Sequence, residues 1–318
     1  MVKKKLSEWL WDAWCVCSII GIWPRFVEPL LLGVKHIQLS LIDLPKELSG
    51  LKIVQFSDLH WSSTFSPFLK NKLIHKINAL QADIIVFTGD FLCCSKLENR
   101  EGLQELLKAM RANLGCFAVL GNHDYSRFVT VNEVGDYSLE KPSASSNIVK
   151  GWKRLFRSVR LTKRISPEVF KIGHHEDLIS LLIETPFDLL DNQTKKISYR
   201  GQTINLCGVG EYTLGQFLPD TAFTNYDCRY PGIILSHNPD TIESLKKYPG
   251  DLILSGHTHG GQVYLPGLWK RFTLMEHFEY RHGLKKLKNK YAYINRGIAS
   301  VMKFRWFAPP ELTVLTLL

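Results

Sequence analysis

The sequence predicts an α/β protein built on a layered sheet, and three observations carry that expectation. Between Leu51 and Val119, short apolar runs alternate with amphipathic stretches in the order strand, helix, strand, helix, strand. After residue 200 come five more short apolar runs, most of them separated by turn residues. Asp, Asn and His recur at the carboxyl ends of these runs, which is where open α/β sheets place their ligand sites.

Each element has its own reason. "VKHIQLSLI" (Val34–Ile42) partly alternates apolar and polar residues, as a half-buried strand does. "LKIVQFS" is a short apolar strand. "FLKNKLIHKINAL" puts Leu69, Leu73, Ile77 and Leu80 on one helical face. "ADIIVFTGD" is the next strand, "EGLQELLKAMRANL" a helix by the same spacing, and "CFAVLGNHD" a strand again. The later strands are "TINLCGVG", "GIILSH", "DLILSGH", "YAYINRGI" and "LTVLTL". The stretch 125–194 breaks the rhythm: polar at first, then strongly basic, then mixed. It reads as an insertion or lid within a domain spanning 34–318.

The 318 residues suffice for one large core, and 45% hydrophobic with 22% charged residues is ordinary for a globular chain. Lys and Arg number 40 against 30 Asp and Glu, an excess of 10. That balance favours anionic partners such as phosphate-bearing substrates, acidic lipid or nucleic acid, without choosing among them. Seven cysteines, an odd count with no CxxC pair, read as reduced thiols facing a cytosolic compartment.

The strand ends carry the chemistry. They are Asp58-Leu59-His60, Gly89-Asp90, Gly121-Asn122-His123-Asp124, Ser236-His237-Asn238 and Gly256-His257-Thr258-His259. Alone, D-x-H is a frequent accident, Gly-Asp is most often a turn, and a lone His237 suits a hydrogen-bonded core. Five in succession, each after an apolar strand, are not explained that way. Carboxylate, imidazole and one amide oxygen without thiolate form a fairly hard ligand set. It suits Mn²⁺, Fe²⁺, Zn²⁺ or Mg²⁺ rather than copper or an iron–sulfur cluster. In D-x-H and H-x-H an extended chain points both side chains to the same side.

In this order, D-x-H, GD, GNHD, a later His and GHTH resemble the calcineurin-like metallophosphoesterases. The resemblance runs from about Leu51 to the C-terminus and leaves 125–194 outside the motifs. It implies a four-layer αββα sandwich with two mixed sheets and two divalent metal ions at the strand ends, Mn²⁺ the first expectation. It implies that Asp58, His60 and His259 hold one ion and Asn122, His237 and His257 the other, with Asp90 bridging. It implies a water activated between the ions as nucleophile, His123 as the protonating residue, and Asp124 as its neighbour. "FTGDFLCC" departs from the commoner GD-x-x-D form, which leaves the contacts behind the bridging carboxylate open. "SHNPD", "GHTHGGQ", "NRGI" and "PPEL" are similar to a membrane-associated subgroup, although Ala299 stands where that subgroup has a second glycine. That likeness implies a lipid-linked nucleotide as substrate, cut at its pyrophosphate, on the cytoplasmic face of the inner membrane.

Three stretches read as docking surface. Residues 1–33 have a basic start, then an eleven-residue apolar run from Ala13 to Trp23, too short for a bilayer, which needs about 20 residues. With tryptophans at 9, 11, 14 and 23 it reads as an anchor lying in the interface, or as a helix packed on the domain. "KGWKRLFRSVRLTKR" (Lys150–Arg164) carries seven Lys or Arg and no acid. Trp152, Leu155, Phe156 and Val159 share one helical face, and Arg154 and Arg157 are candidate substrate contacts. It is either an amphipathic helix for an anionic membrane or phosphate, or a solvated charged helix. In "LPGLWKRF", Trp269, Lys270 and Arg271 lie close enough to the histidine pair to meet substrate, or form an ordinary turn with one packed tryptophan. Aromatics here cluster with apolar runs rather than interleaving along a basic groove, which favours lipid over nucleic acid. A different phosphate ester and a metal-holding scaffold without turnover remain as rival readings.

Overall fold

Strands buried on both faces read as unbroken apolar runs, and those runs build the centre of this protein. The computed structural model describes residues 6–139, 159–264, 269–271 and 273–318. The strands are β1 (Gly33–Leu39), β2 (Lys52–Phe56), β3 (Ile84–Phe87), β4 (Gly115–Ala118), β5 (Val129–Val131), β6 (Tyr137–Leu139), β7 (Phe187–Leu189), β8 (Gln193–Tyr199), β9 (Gln202–Gly208), β10 (Gly232–Leu235), β11 (Leu252–Ser255), β12 (Gly283–Lys286), β13 (Tyr291–Ile294) and β14 (Glu311–Leu317). One sheet has the order β1-β14-β2-β3-β4-β7, the other β12-β13-β11-β10-β9-β8, while β5 and β6 form a separate hairpin. Both sheets are mixed. β2, β3, β4 and β7 run parallel and β14 pairs antiparallel with β2. β9, β10, β11 and β13 run parallel, with β8 and β12 antiparallel at the two edges.

Alternation along each strand separates the layers. Ile53, Ile84, Val86, Leu206, Leu235, Leu254 and Leu315 meet between the sheets. Their neighbours Val54, Phe56, Ile85 and Phe87 face outward onto Leu69, Leu73, Ile77, Leu103 and Leu107. Those leucines come from helices α2 (Pro67–Ala79) and α3 (Arg100–Lys108). Ser66 starts α2: Pro67 fits the first turn, and the Ser66 hydroxyl accepts the Leu69 N–H at 3.3 Å. Behind the second sheet, Ile234 and Ile253 pack on Ala222, Ile242 and Leu245, from the short helices Pro219–Ala222 and Ile242–Leu245. The result is the expected helix–sheet–sheet–helix stack. Gln55 ties the sheets across their interface, its Nε2 donating to the Ser255 carbonyl at 2.9 Å.

The 125–194 segment is only partly separate from this stack. Its helix Glu176–Ile183 buries Leu178, Leu181 and Leu182 in the first core. Its strand β7 then extends the first sheet beside β4. Of the basic stretch, residues 150–158, with Arg154 and Arg157, lie outside the described residues. Val159 to Arg164 is not helical: it runs beside the β5–β6 hairpin, where the Tyr137 N–H donates to the Arg164 carbonyl at 2.8 Å.

The N-terminus differs from the eleven-residue run expected of it. Helix α1 (Leu6–Cys17), a wider π-type stretch (Ser18–Val27) and a last turn (Glu28–Leu30) join into one helical run of 25 residues, long and apolar enough to cross a membrane. Leu6, Trp9, Leu10 and Trp11 extend the apolar surface upstream past Glu8 and Asp12.

Candidate functional site

The parallel strands of both sheets deliver their carboxyl ends to one cleft. Asp58 and His60 follow β2, Asp90 follows β3, and Asn122 to Asp124 follow β4. His237 follows β10, and His257 and His259 follow β11. Among these side chains, His60 Nε2 lies 3.1 Å from His259 Nε2, and both face Asp58 Oδ1, at 3.9 and 3.7 Å. His237 Nε2 lies 3.1 Å from His257 Nδ1. Asp90 stands between the two groups, its Oδ2 3.6 Å from His60 Nε2 and 3.3 Å from His237 Nε2.

The local backbone is unusual. Asp58, His60, Asp90, His257 and His259 all adopt positive φ, between 43° and 69°, a region few non-glycine residues visit. Such strain persists only where the surroundings over-determine it, and here they do. The Asp58 N–H donates to the Gly89 carbonyl at 2.9 Å, His60 N–H to the Asp90 carbonyl at 3.1 Å, and His257 N–H to Asp58 Oδ2 at 3.1 Å. Gly121 is required by close approach: a side chain there would collide with the Asp90 carboxylate.

Asp124 is the organiser of this corner. Its carboxylate accepts three backbone N–H groups, from Asp90 (2.8 Å), Gly121 (2.9 Å) and Leu92 (2.9 Å). The hydrogen bonds found at its carboxylate therefore run to the loop backbone and not to the His123 ring, the neighbour the sequence resemblance gave it. His123 is held by another group: the Cys94 N–H donates to its Nδ1 at 2.9 Å. That bond leaves the proton of the neutral ring on Nε2, 4.0 Å from Asp90 Oδ2. Cys93 and Cys94 occupy the stretch where the commoner pattern has its second Asp, and a backbone amide does the holding. His237 is fixed in the same manner, its Nδ1–H donating to the Thr88 carbonyl at 2.6 Å, which aims Nε2 at the cleft.

Burial sets the protonation of the cluster. It pushes the Asp58 and Asp124 carboxyls up to about 7. It pushes the His60 imidazole down to about 4, those of His123 and His257 down to about 3, and that of His259 well below its usual range. Asp90 and His237 escape the trend. Burial opposes charge on both, but their mutual contact outweighs it, holding the Asp90 carboxyl well below and the His237 imidazole well above their ordinary ranges. A proton on His237 therefore sits where a cation would sit.

The residues fit divalent cations. Asp58 Oδ1 and Asn122 Oδ1 are buried with no hydrogen-bond partner, and two pairs of imidazole nitrogens converge to 3.1 Å. Each of the triads Asp58–His60–His259 and Asp90–His237–His257 offers ligand atoms within 4.8 Å of one another. Orphaned buried acceptors are costly unless something meets them. Hard cations meet both the oxygens and the nitrogens.

Two arginines join the site that sequence reasoning did not single out. Arg305 is fully buried. Its guanidinium donates to the carbonyls of Arg296 (2.8 Å), Ala308 (3.0 Å) and Ala299 (2.6 Å) and reaches His259 Nδ1 at 3.4 Å. Burial pushes it down to about 10, so it stays charged at neutral pH. Arg281 donates to the Gly260 carbonyl at 2.7 Å and lies over the rings of Tyr264 (4.0 Å) and Trp269 (4.7 Å). Trp269 thus adjoins the turn after the histidine pair, with Lys270 Nζ 5.3 Å from the Phe278 ring centroid. The side chain of Arg271 lies outside the described residues.

The chain belongs to the calcineurin-like phosphoesterases, whose family model matches residues 51–261. It is a metallophosphoesterase, and so a hydrolase. It is 39% identical over 92% of both chains to a UDP-2,3-diacylglucosamine pyrophosphatase, LpxG, of Chlamydia trachomatis, and 38% identical over 92% of both chains to LpxG of Chlamydia muridarum. It is also 28% identical to the phosphodiesterase YaeI of Escherichia coli, over 84% of this chain and 82% of that one.

Proposed function

We propose that this hydrolase cleaves the pyrophosphate of UDP-2,3-diacylglucosamine, releasing UMP and 2,3-diacylglucosamine 1-phosphate, at the cytoplasmic surface of a membrane. The observation that carries the substrate is the end-to-end similarity to the two chlamydial enzymes, at 39% and 38% identity across 92% of each chain. The apolar helical run at the N-terminus supports a substrate that stays in lipid.

Asp58, His60 and His259 would hold one divalent cation and Asn122, His237 and His257 the other, with Asp90 between them, Mn²⁺ being the first choice for such hard ligands. Bound there, the cations supply Lewis acidity, which acidifies water and neutralises charge at phosphorus. The remaining work belongs to the chain. Asp124 fixes the Asp90 loop, and with it the distance between the two ligand groups. His123 keeps its Nε2–H directed at the cleft because Nδ1 is occupied, so it can hydrogen-bond a phosphoryl or leaving oxygen. Arg305, charged and buried beside His259, adds fixed positive charge where phosphate arrives. Trp269, Lys270 and Arg271, with Arg154 and Arg157, would contact the anionic substrate.

The test is direct. Purified protein with Mn²⁺ is offered UDP-2,3-diacylglucosamine, and UMP is measured. Release of UMP at a rate that scales with enzyme supports the reading. Absence of UMP beside good cleavage of bis-p-nitrophenyl phosphate contradicts it and moves the enzyme to a different phosphate ester.

A further inference from the structure

Several contacts tie the N-terminal helical run to the body of the protein, and one of them adjoins the proposed metal ligands. Pro24 lies inside the wide helical stretch, and its carbonyl accepts the Arg305 N–H at 2.8 Å. The guanidinium of the same Arg305 reaches His259. Glu28, also buried, closes the joint. Its Oε1 accepts the Ala308 N–H at 2.6 Å, and its Oε2 accepts the Phe307 N–H and the Trp23 indole N–H, each at 3.0 Å. Trp306 is stitched on its other side to the segment leaving the histidine pair: its N–H donates to the Gln262 carbonyl at 3.0 Å, and its carbonyl accepts the Tyr264 N–H at 2.8 Å.

Between helix and loop lies a groove of about 530 Å³, walled almost wholly by apolar atoms, with Ile19, Ile22, Trp23, Trp306, Phe307 and Pro309 along it. Its single carboxylate, Glu28, has both oxygens engaged in the joint. One wall is the helix, whose outer residues Trp14, Ile20 and Phe26 are exposed apolar side chains suited to lipid. The other wall is the loop that carries Arg305. A cavity of this size falls within the range for ligand pockets, and an open apolar groove against a helix with exposed apolar side chains suits a hydrocarbon chain.

We infer that this groove holds an acyl chain of the substrate, entering from the bilayer side, while its headgroup phosphate lies at the metal ligands beyond Arg305. The inference rests on the lipid-substrate reading above and adds to it where the chain binds and which residues set chain-length preference. Each methylene removed from water is worth about fourfold in binding. Chain length should therefore be read out as a steep rise in kcat/KM.

The experiment compares long- and short-chain UDP-diacylglucosamines whose acyl chains differ by about four methylenes, each held below its critical micelle concentration so that the chain leaves water on binding, using the full chain loaded with Mn²⁺. The wild type is expected to prefer long chains by at least a hundredfold. Ile22→Trp, which fills the groove with a residue still compatible with lipid, is expected to lower that preference at least tenfold. Leu31, 44% exposed, also lines the groove; Leu31→Trp is a second variant should the first fold poorly, and metal content verifies both. A preference left intact in both folded variants overturns the groove, and would mean that it seats bilayer lipid only. Equal turnover of long and short substrates by the wild type also overturns it while leaving the pyrophosphate reading intact. Failure to cleave either, with bis-p-nitrophenyl phosphate still hydrolysed, removes the lipid-substrate reading and the groove's role with it.

Discussion

The cleft and the N-terminal helix are built on opposite principles. At the cleft, polar and charged groups are largely buried, five backbones take positive φ, and hydrogen bonds fix Asp90, His123, His237 and His257. In the helix, Trp11 is 66% and Ile19 57% exposed, and hydrogen bonds to the body come from its last turns: Pro24 and Glu28 bind the 305–308 loop, Arg25 donates to the Lys303 carbonyl at 2.7 Å, and the Leu30 carbonyl accepts from Lys72 at 3.0 Å. The comparison teaches where precision is needed. Ligands for cations must be placed to within about half an ångström, so the sheets supply the positions and the loops are locked. A surface element needs only an apolar face and a few fixed contacts.

Four expectations test that contrast, the largest first. Asp90→Ala removes the carboxylate shared by both ligand groups. Activity should fall by on the order of 10³-fold, and elemental analysis should show the loss of both cations; a variant keeping two would break the assignment. The second concerns pH. Because burial raises the Asp58 carboxyl to about 7 and Asp90 holds a proton on His237, cations must displace protons when they bind. Acid therefore competes with metal. Apparent Mn²⁺ affinity of metal-stripped protein should fall up to about tenfold for each pH unit below 7 per displaced proton, measured by calorimetric titration. Affinity independent of pH would contradict the protonation pattern.

The third concerns the lock rather than the ligands. Asp124→Asn turns one carboxylate oxygen into an NH₂ group facing backbone N–H donors. It should cost about 1–3 kcal/mol, seen as a fall in Tm, with metal binding weakened through Asp90. The fourth and smallest is at the joint between helix and body. Glu28→Ala frees the N–H groups of Phe307 and Ala308 and the Trp23 indole. Limited proteolysis should then cut near residues 18–31 faster while metal content holds. Protection equal to wild type would mean that other contacts fix the helix.

Much of this was legible in the sequence because the central strands are buried on both faces. "IIVF", "GIIL" and "LILS" can be little else, and the Asp, Asn and His that follow them had no apolar role. What stayed hidden lies at the edges and in the backbone. β8 reads "QTKKISY" and β12 "GLKK", edge strands whose exposed faces carry lysine, so neither forms an apolar run. β7 is three residues long and comes into register only by pairing with β4. The Asp124 lock and the Cys94 amide on His123 use backbone donors, which no residue pattern announces. Arg305, in "FRWF", has no local signal at all; its partners are carbonyls of residues 296, 299 and 308. The full length of the N-terminal helix is not legible in the sequence because its apolar surface is spread around Glu8 and Asp12 rather than concentrated in one run.

Seven side chains converging on two cations would make this enzyme active. Metal-stripped protein titrated with Mn²⁺, with turnover followed at each addition, tests this most directly. Turnover should be absent at the start and reach its plateau at two equivalents per chain. Full activity in metal-free protein, or a plateau at one equivalent, would contradict it.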